Sequence, residues 1–367
     1  MLIFIANYNE ESAYSNKCIH SITNILRLFS EGKHILIADK DFFKKISEDE
    51  RGFYSFFSRN AACEALRSQI EYVPLLQVVS FYITVDFLID GESYYWTKKG
   101  NKDVLVVGNE YFHDSSRLQC TNVIYENVKD SDFYNLISRH YAKKVKATKC
   151  SLATNPINGG GGATKDVFDR TVQNKTPVLC VLDNDKKHPS GPAGSTCRAF
   201  GQTFHSHTGM VKVLEVHEVE SLIPIETLKN LSNLSNEKTE TINFLSKLTL
   251  KDESSKFYFD HKKGLNIKKA IELDDKYGDY WLPLIKSLPD YSRHECVNER
   301  TCACQAPCVS FEGLGDNILD RVVDFISRNN MKAYAPSLTP KLEQHWETIG
   351  NLLFSWSCGP FKKSRVT

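Results

Sequence analysis

The sequence predicts an α/β protein: a mainly parallel sheet flanked by helices, placed between an N-terminal α/β module and a mostly helical C-terminal region. Three observations predict it. Between residues 116 and 225, apolar strand-like runs alternate with helix-like periodicities, the order a parallel sheet with right-handed crossovers imposes. Within that stretch, Pro177–Asp185 (PVLCVLDND) is apolar and β-branched until it ends in two aspartates, and turn formers (KKHPSGPAG) follow it, as for a buried central strand. Beyond Pro224 the strand runs give way to helical spacing.

The 367 residues are enough for two or three cores, and 41% apolar with 25% charged residues is ordinary globular composition. A net charge of +1 leaves room for a nucleic-acid binder if basic and acidic residues are segregated. No apolar run approaches the roughly 20 residues a membrane helix needs, and MLIFIANYNEES reads as a first strand rather than a signal peptide. A cytoplasmic location without membrane association is therefore the default. The eleven cysteines are read mainly as reduced thiols, Cys63, Cys120 and Cys180 sitting in apolar contexts.

Residues 1–115 form the first expected domain, an interaction or oligomerisation module. LIFIANY and HILIAD (34–39) read as strands, and Ile19, Ile22, Ile25, Leu26 and Phe29 are spaced for one buried helix face. Asp39 and Asp41 form a DxD, better explained as the helix start of DKDFFKKI, with an acid at the N-cap. Residues 116–225 form the second. TNVIYEN is a strand ending near Glu126, and Val128, Phe133, Leu136, Ile137 and Tyr141 mark the buried face of the next helix. Cys150–Thr154 reads as a further strand, NGGGGATKDVFDRTVQN as a glycine loop opening a helix, and Met210–Val216 as a strand running into HEVESLIP. Residues 226–367 form the third: a helix over Leu228–Leu250, a short aromatic strand with a turn and basic helix in KFYFDHKKGLNIKKAIEL, a cysteine cluster, and helices over Asn317–Asn329 and Pro340–Phe354.

Acids at i and i+2 on an extended chain point to one side, so Asp183 and Asp185 are expected to leave the strand tip together, where open α/β sheets hold ligands. Two close carboxylates call for a hard divalent cation. Glu126 and Asp130 straddle a strand-to-helix turn, so both can face the same rim. Carboxylates on such a rim suit phosphodiester chemistry: the aspartates hold Mg²⁺ or Mn²⁺, and the glutamate moves a proton or binds a second ion.

The motifs ViYENvkDsdFY (123–134), GGGG (159–162), vLDND (181–185) and HEVESLIP (217–224) resemble, in order and spacing, those of Toprim domains. The closest likeness is to the nuclease halves of overcoming-lysogenisation-defect-type proteins and related bacterial phage-defence effectors, over residues 120–225. Asn127 stands where the family usually has glycine. The resemblance implies a Toprim-like fold, with Glu126 as general acid/base or metal ligand and Asp130, Asp183, Asp185 and Glu220 as metal ligands. Glu218 shares the strand parity of Glu220, and the resemblance alone favours Glu220. It also implies a DNA or RNA substrate and a separate ATPase sensor as partner, since the chain has no Walker motif.

Gly160 and Gly161 with Lys165 are candidate phosphate contacts, a tight turn being the other reading; no G-K-[ST] ending makes an ATP site of them. Lys186, Lys262 and Lys263 are candidate nucleic-acid contacts, or a solvated surface. Cys296, Cys302, Cys304 and Cys308 are candidate ligands of a structural Zn²⁺, with reduced thiols in a tight loop as the alternative. The reading is a Mg²⁺- or Mn²⁺-dependent nuclease, open to homo-oligomerisation; a non-catalytic Toprim-like binding or assembly module is the competing class, and a topoisomerase or primase a weaker third.

Overall fold

The structure, a computed structural model, describes residues 1–361 except 10, 12, 13, 202–204, 330–333 and 335, and of Leu118 the backbone alone. The chain divides into two compact units, one of residues 1–180, 202–212 and 347–367 and one of residues 181–201 and 213–346.

The first unit opens with β1 (Leu2–Ala6), α1 (Asn16–Ser30), β2 (Ile35–Ile37), α2 (Lys40–Ser47), α3 (Phe56–Tyr72), β3 (Phe81–Asp86), β4 (Tyr94–Lys99) and β5 (Lys102–Gly108). These strands make one sheet in the order β2-β1-β3-β5-β4, parallel except for β4. The apolar strands β1, β2 and β3 are nearly all buried, whereas β4, YYWTKK, is half exposed, as suits an edge. Ile22, Ile25, Leu26 and Phe29 form the buried face of α1 as their spacing predicts, with Ile19 half-buried. Asp39 occupies the N-cap of α2, but its side chain makes no capping hydrogen bond.

The second sheet follows, from β6 (Thr121–Tyr125), α4 (Asp130–Lys144), β7 (Cys150–Leu152), β8 (Thr154–Asn158), α5 (Thr164–Gln173), β9 (Val178–Leu182), α6 (Ser195–Phe200), β10 (His205–Ser206) and β11 (Gly209–Val213). Its order is β10-β11-β9-β6-β8. The central strand is the predicted one: all five residues of β9 are buried. Three details differ from the sequence reading. Val128 precedes α4 and is exposed, while Phe133, Leu136, Ile137 and Tyr141 are buried. The strand at Cys150–Leu152 lies outside this sheet, pairing antiparallel with Cys358–Pro360; the parallel neighbour of β6 is β8. As an edge strand with a proline (TNPIN), β8 has no apolar signature to reveal it. Finally, β11 ends at Val213 and forms a hairpin with β10.

The second unit begins at Val181, the tip of β9. After a 3-10 turn (Val219–Leu222) come α7 (Ile225–Lys229), α8 (Asn236–Lys251), a second 3-10 turn (Glu253–Phe257), β12 (Gly264–Asn266), α9 (Ile267–Tyr277), α10 (Trp281–Lys286), α11 (Glu295–Asn298), β13 (Ser310–Glu312) and α12 (Ile318–Arg328). The helix predicted over 228–250 is thus two, the second capped by Ser235, whose hydroxyl accepts the Lys238 N–H at 3.3 Å. KFYF forms 3-10 turn and loop rather than a strand, because a short aromatic run has no period to distinguish the two. The strand here is β12, antiparallel to β13. Phe244, Leu273, Trp281, Ile285 and Phe311 belong to the core of this unit. Buried Asp274 is satisfied by the amides of Trp281 and Leu282 at 2.9 and 2.8 Å, which fixes the start of α10.

The chain closes with α13 (Pro340–Ser357) and β14 (Cys358–Pro360). At Gly350 a Cβ would lie 2.6 Å from Tyr141 Cβ, so glycine permits the close approach of α13 to α4. Residues 1–115 and 116–225 each contain one five-stranded sheet, while the compact units part near 180 and 212. Among the described residues no helix is long and apolar enough to cross a membrane.

Candidate functional site

In the second unit, the tip of β9 is shaped by backbone contacts to the segment after β11. The Asn184 and Asp185 amides donate to the Val216 and His217 carbonyls at 3.0 and 3.1 Å, and Asp183 Oδ2 accepts the Val219 N–H at 3.1 Å. The strand ends at Leu182, and Asp185 has φ +57°, in the left-handed region. The alternation argument for Asp183 and Asp185 therefore does not apply: the direction of Asp185 is set by this turn. The cost of such a backbone, of order 1 kcal/mol, is accepted more readily by aspartate than by most residues. The Asp185 carboxyl lies against Gly194, where a Cβ would come within 1.9 Å of Oδ2. Desolvation there raises its pKa, with Glu218 adding to the effect.

Behind this turn lies a group of buried charges. Glu218 follows His217, and its Oε1 accepts the backbone amides of His261 and Lys262. Lys262 Nζ lies 3.1 Å from Glu220 Oε1 and 3.7 Å from Glu218 Oε2. Asp260 receives Lys187 Nζ at 2.6 Å and the Lys263 amide at 2.8 Å, with His217 Nε2 3.9 Å away. Burial and the charge of Glu218 push the Glu220 carboxyl up to about 7. Burial works the same way on Glu218, but the hydrogen bond and charge of His261, with His217 and Lys262, outweigh it and hold that carboxyl below its usual range. Asp260 is held well below its usual range, burial being outweighed by His217, Lys187 and the Lys263 amide. Burial likewise opposes the charge of Lys262, yet Glu220 and Glu218 raise its pKa. Two neighbouring carboxyls separated in this way suit different proton-transfer roles.

The donor set fits a cation. His217, Glu218 and Asp260 offer ligand atoms within 4.8 Å of one another, and buried Glu220 Oε2 and His217 Nδ1 have no hydrogen-bond partner among the described residues. The sequence motifs do not mark His217, Asp260 or His261 as metal donors. The only signal for them was a histidine next to an acid in both HEVE and FDHKK. Lys262, expected as a polyanion contact, faces the two glutamates, whereas Lys263 is exposed. The Lys186 amide closes a turn on Asn184 Oδ1 at 2.8 Å.

Glu126 and Asp130 belong to the first unit. Glu126 is half-buried after β6, and Asp130 is buried in the first turn of α4, where the helix dipole favours a carboxylate. Asn127 makes the turn without left-handed backbone, its Oδ1 accepting the Lys129 amide at 3.1 Å. In the glycine loop, the Gly159 and Gly160 amides donate to the Tyr125 and Glu126 carbonyls at 2.7 and 3.1 Å. The Gly160 amide is thus committed to holding the strand tip; Gly161 has φ +59°, and Lys165 pairs with Asp169 one turn along α5.

In the second unit, Cys296, Cys302, Cys304 and Cys308 bring their sulfurs within 4.8 Å of one another, with Cys302–Cys308 at 3.8 Å and Cys296–Cys304 at 4.0 Å. A tetrahedron with metal–sulfur distances of about 2.3 Å has edges of about 3.8 Å, so the four thiols fit a tetrahedral metal ion. The spacing C-x5-C-x-C-x3-C is closed by the loop after α11, where Lys268 Nζ also donates to the Cys304 carbonyl at 2.8 Å.

No protein-family model matches the chain, and searches of curated proteins and of solved structures give no significant match.

Proposed function

We propose that the protein is a Mg²⁺- or Mn²⁺-dependent nuclease that hydrolyses phosphodiester bonds of DNA or RNA. The observation that carries this reading is Glu220: a buried carboxyl poised near pH 7, with one oxygen on Lys262 and the other without a hydrogen-bond partner among the described residues. Asp183 and Asp185 would hold the ion, with His217, Glu218 and Asp260 as further donors. Bound there, a divalent ion would neutralise the non-bridging oxygens of a phosphodiester and lower the pKa of a water. Glu220, exchanging a proton near neutrality, suits general acid/base work, and Lys262 holds positive charge beside it. The roles of Glu126 and Asp130 rest on the Toprim resemblance, as does action as a phage-defence effector with a separate ATPase sensor. The four cysteines would hold a structural Zn²⁺, since they leave no open coordination position.

The test is cleavage of plasmid, single-stranded DNA and tRNA with Mg²⁺, Mn²⁺ or EDTA, comparing the wild type with Asp183→Ala, Glu220→Gln and Glu126→Ala. Metal-dependent cutting that Asp183→Ala abolishes supports the reading; equal cutting by wild type and all three variants overturns it. A second reading, a non-catalytic nucleic-acid-binding module, is favoured by the pairing of Lys187 with Asp260 and Lys262 with Glu220, which neutralises carboxylates without a metal. Strand binding without cleavage under any of these conditions would support it.

A further inference from the structure

A cavity of about 350 Å³ opens beside Asp260 in the second unit. Lys187, Lys263 and Lys269 line it together with Tyr258, Leu273 and Trp281. Trp281 is 1% exposed and its Nε1 donates to the Lys187 carbonyl at 2.8 Å, so it backs the wall and offers no open ring face. Leu273 is buried beside it, and Tyr258 packs on the same core. The cavity therefore joins the half-buried ring of Tyr258 to three amines and to the carboxyls of Asp260 and Glu312. Lys187 is held by Asp260 at 2.6 Å. Lys269 pairs with Glu272 at 2.9 Å between exposed side chains, a contact that a phosphate can displace. Lys263 is exposed, and no ion pair involves its amine among the described residues.

We propose that this cavity binds one unpaired nucleotide of the substrate strand, its phosphate on Lys263 and Lys269 and its base against Tyr258. The proposal rests on the nuclease reading, because Asp260 and Lys187 belong to both the cavity and the group of buried charges. A nucleotide held here stands beside the reactive phosphodiester. A base inside a duplex cannot enter such a cavity, so the preferred substrate is single-stranded or looped nucleic acid.

Calorimetric titration of the full chain without added Mg²⁺ or Mn²⁺ tests this, with AMP, ribose 5-phosphate and inorganic phosphate as probes. AMP is expected to bind about tenfold or more tighter than ribose 5-phosphate, since a stacked base adds to the phosphate contact. The double variant Lys263→Ala/Lys269→Ala, altered only at exposed positions, is expected to lose about tenfold in AMP affinity and to flatten its salt dependence. AMP binding no tighter than ribose 5-phosphate, or unchanged in the double variant, overturns the proposal. If AMP does not bind while strand cleavage still requires Mg²⁺, the nucleotide cavity falls and the nuclease reading stands. If AMP binds as expected and no strand is cut, the reverse holds.

Discussion

Lys262 Nζ lies 3.1 Å from Glu220 Oε1 and also reaches Glu218, so one amine serves two buried carboxyls that titrate in different ranges. Glu218 keeps its charge because backbone amides and a histidine surround it. Burial beside a like charge outweighs, at Glu220, the lysine and its own backbone amide. This asymmetry gives the site a group able to exchange a proton near neutrality.

Glu220→Gln should therefore change the pH dependence of stability. A carboxyl raised to about 7 contributes stability that is fully present below its unfolded pKa and is lost as pH rises through about 7. The variant lacks that loss. Its thermal midpoint, measured without divalent metal, should match the wild type near pH 4 and exceed it above pH 7, by about 3 kcal/mol at most. Parallel midpoint curves would show that Glu220 does not titrate in this range.

Lys256 has the opposite sign. It is 3% exposed and donates to the Ile223 carbonyl at 2.7 Å, and burial lowers its pKa to about 7. The unfolded chain binds the proton more tightly, so wild-type stability rises from about pH 7 to pH 10. Lys256→Met removes a buried charge below pH 7, worth about 5 kcal/mol at most, and one hydrogen bond, worth about 1 kcal/mol. The variant should be the more stable protein at pH 6 and the less stable at pH 10. Denaturant unfolding at the two pH values measures the crossover.

Gly194→Ala should separate folding from site chemistry. The Gly194 backbone has φ −62°, which alanine adopts without strain, but the added methyl would meet Asp185 Oδ2. Displacing that side chain should cost about 1–3 kcal/mol of stability and most of any metal-dependent cleavage. Wild-type cleavage by the variant would remove Asp185 from the site.

The cysteine cluster should bind close to one equivalent of Zn²⁺, measured by metal analysis of protein purified under reducing conditions. Metal removal, or Cys302→Ser, should lower the thermal midpoint by roughly 5 °C or more, because a metal ion would tie together four points of the loop after α11. A protein free of zinc, with a midpoint that added Zn²⁺ does not raise, would leave the cluster as reduced thiols.

The residue pattern alone determined those features that depend on near neighbours. The apolar run of β9, the buried face of α4 and the four clustered cysteines were legible because burial of neighbouring residues leaves a local period or composition. Strand β8 was not legible, because an edge strand need not be apolar and its pairing with β6 is a long-range fact. Tertiary structure alone decided that Asp185 leaves its turn on left-handed backbone, and that Asp260, His261 and Lys262 meet His217, Glu218 and Glu220 from more than forty positions away. Side-chain direction follows from backbone torsions, and a carboxyl's proton affinity from what buries it. Neither quantity is set until distant segments have packed together.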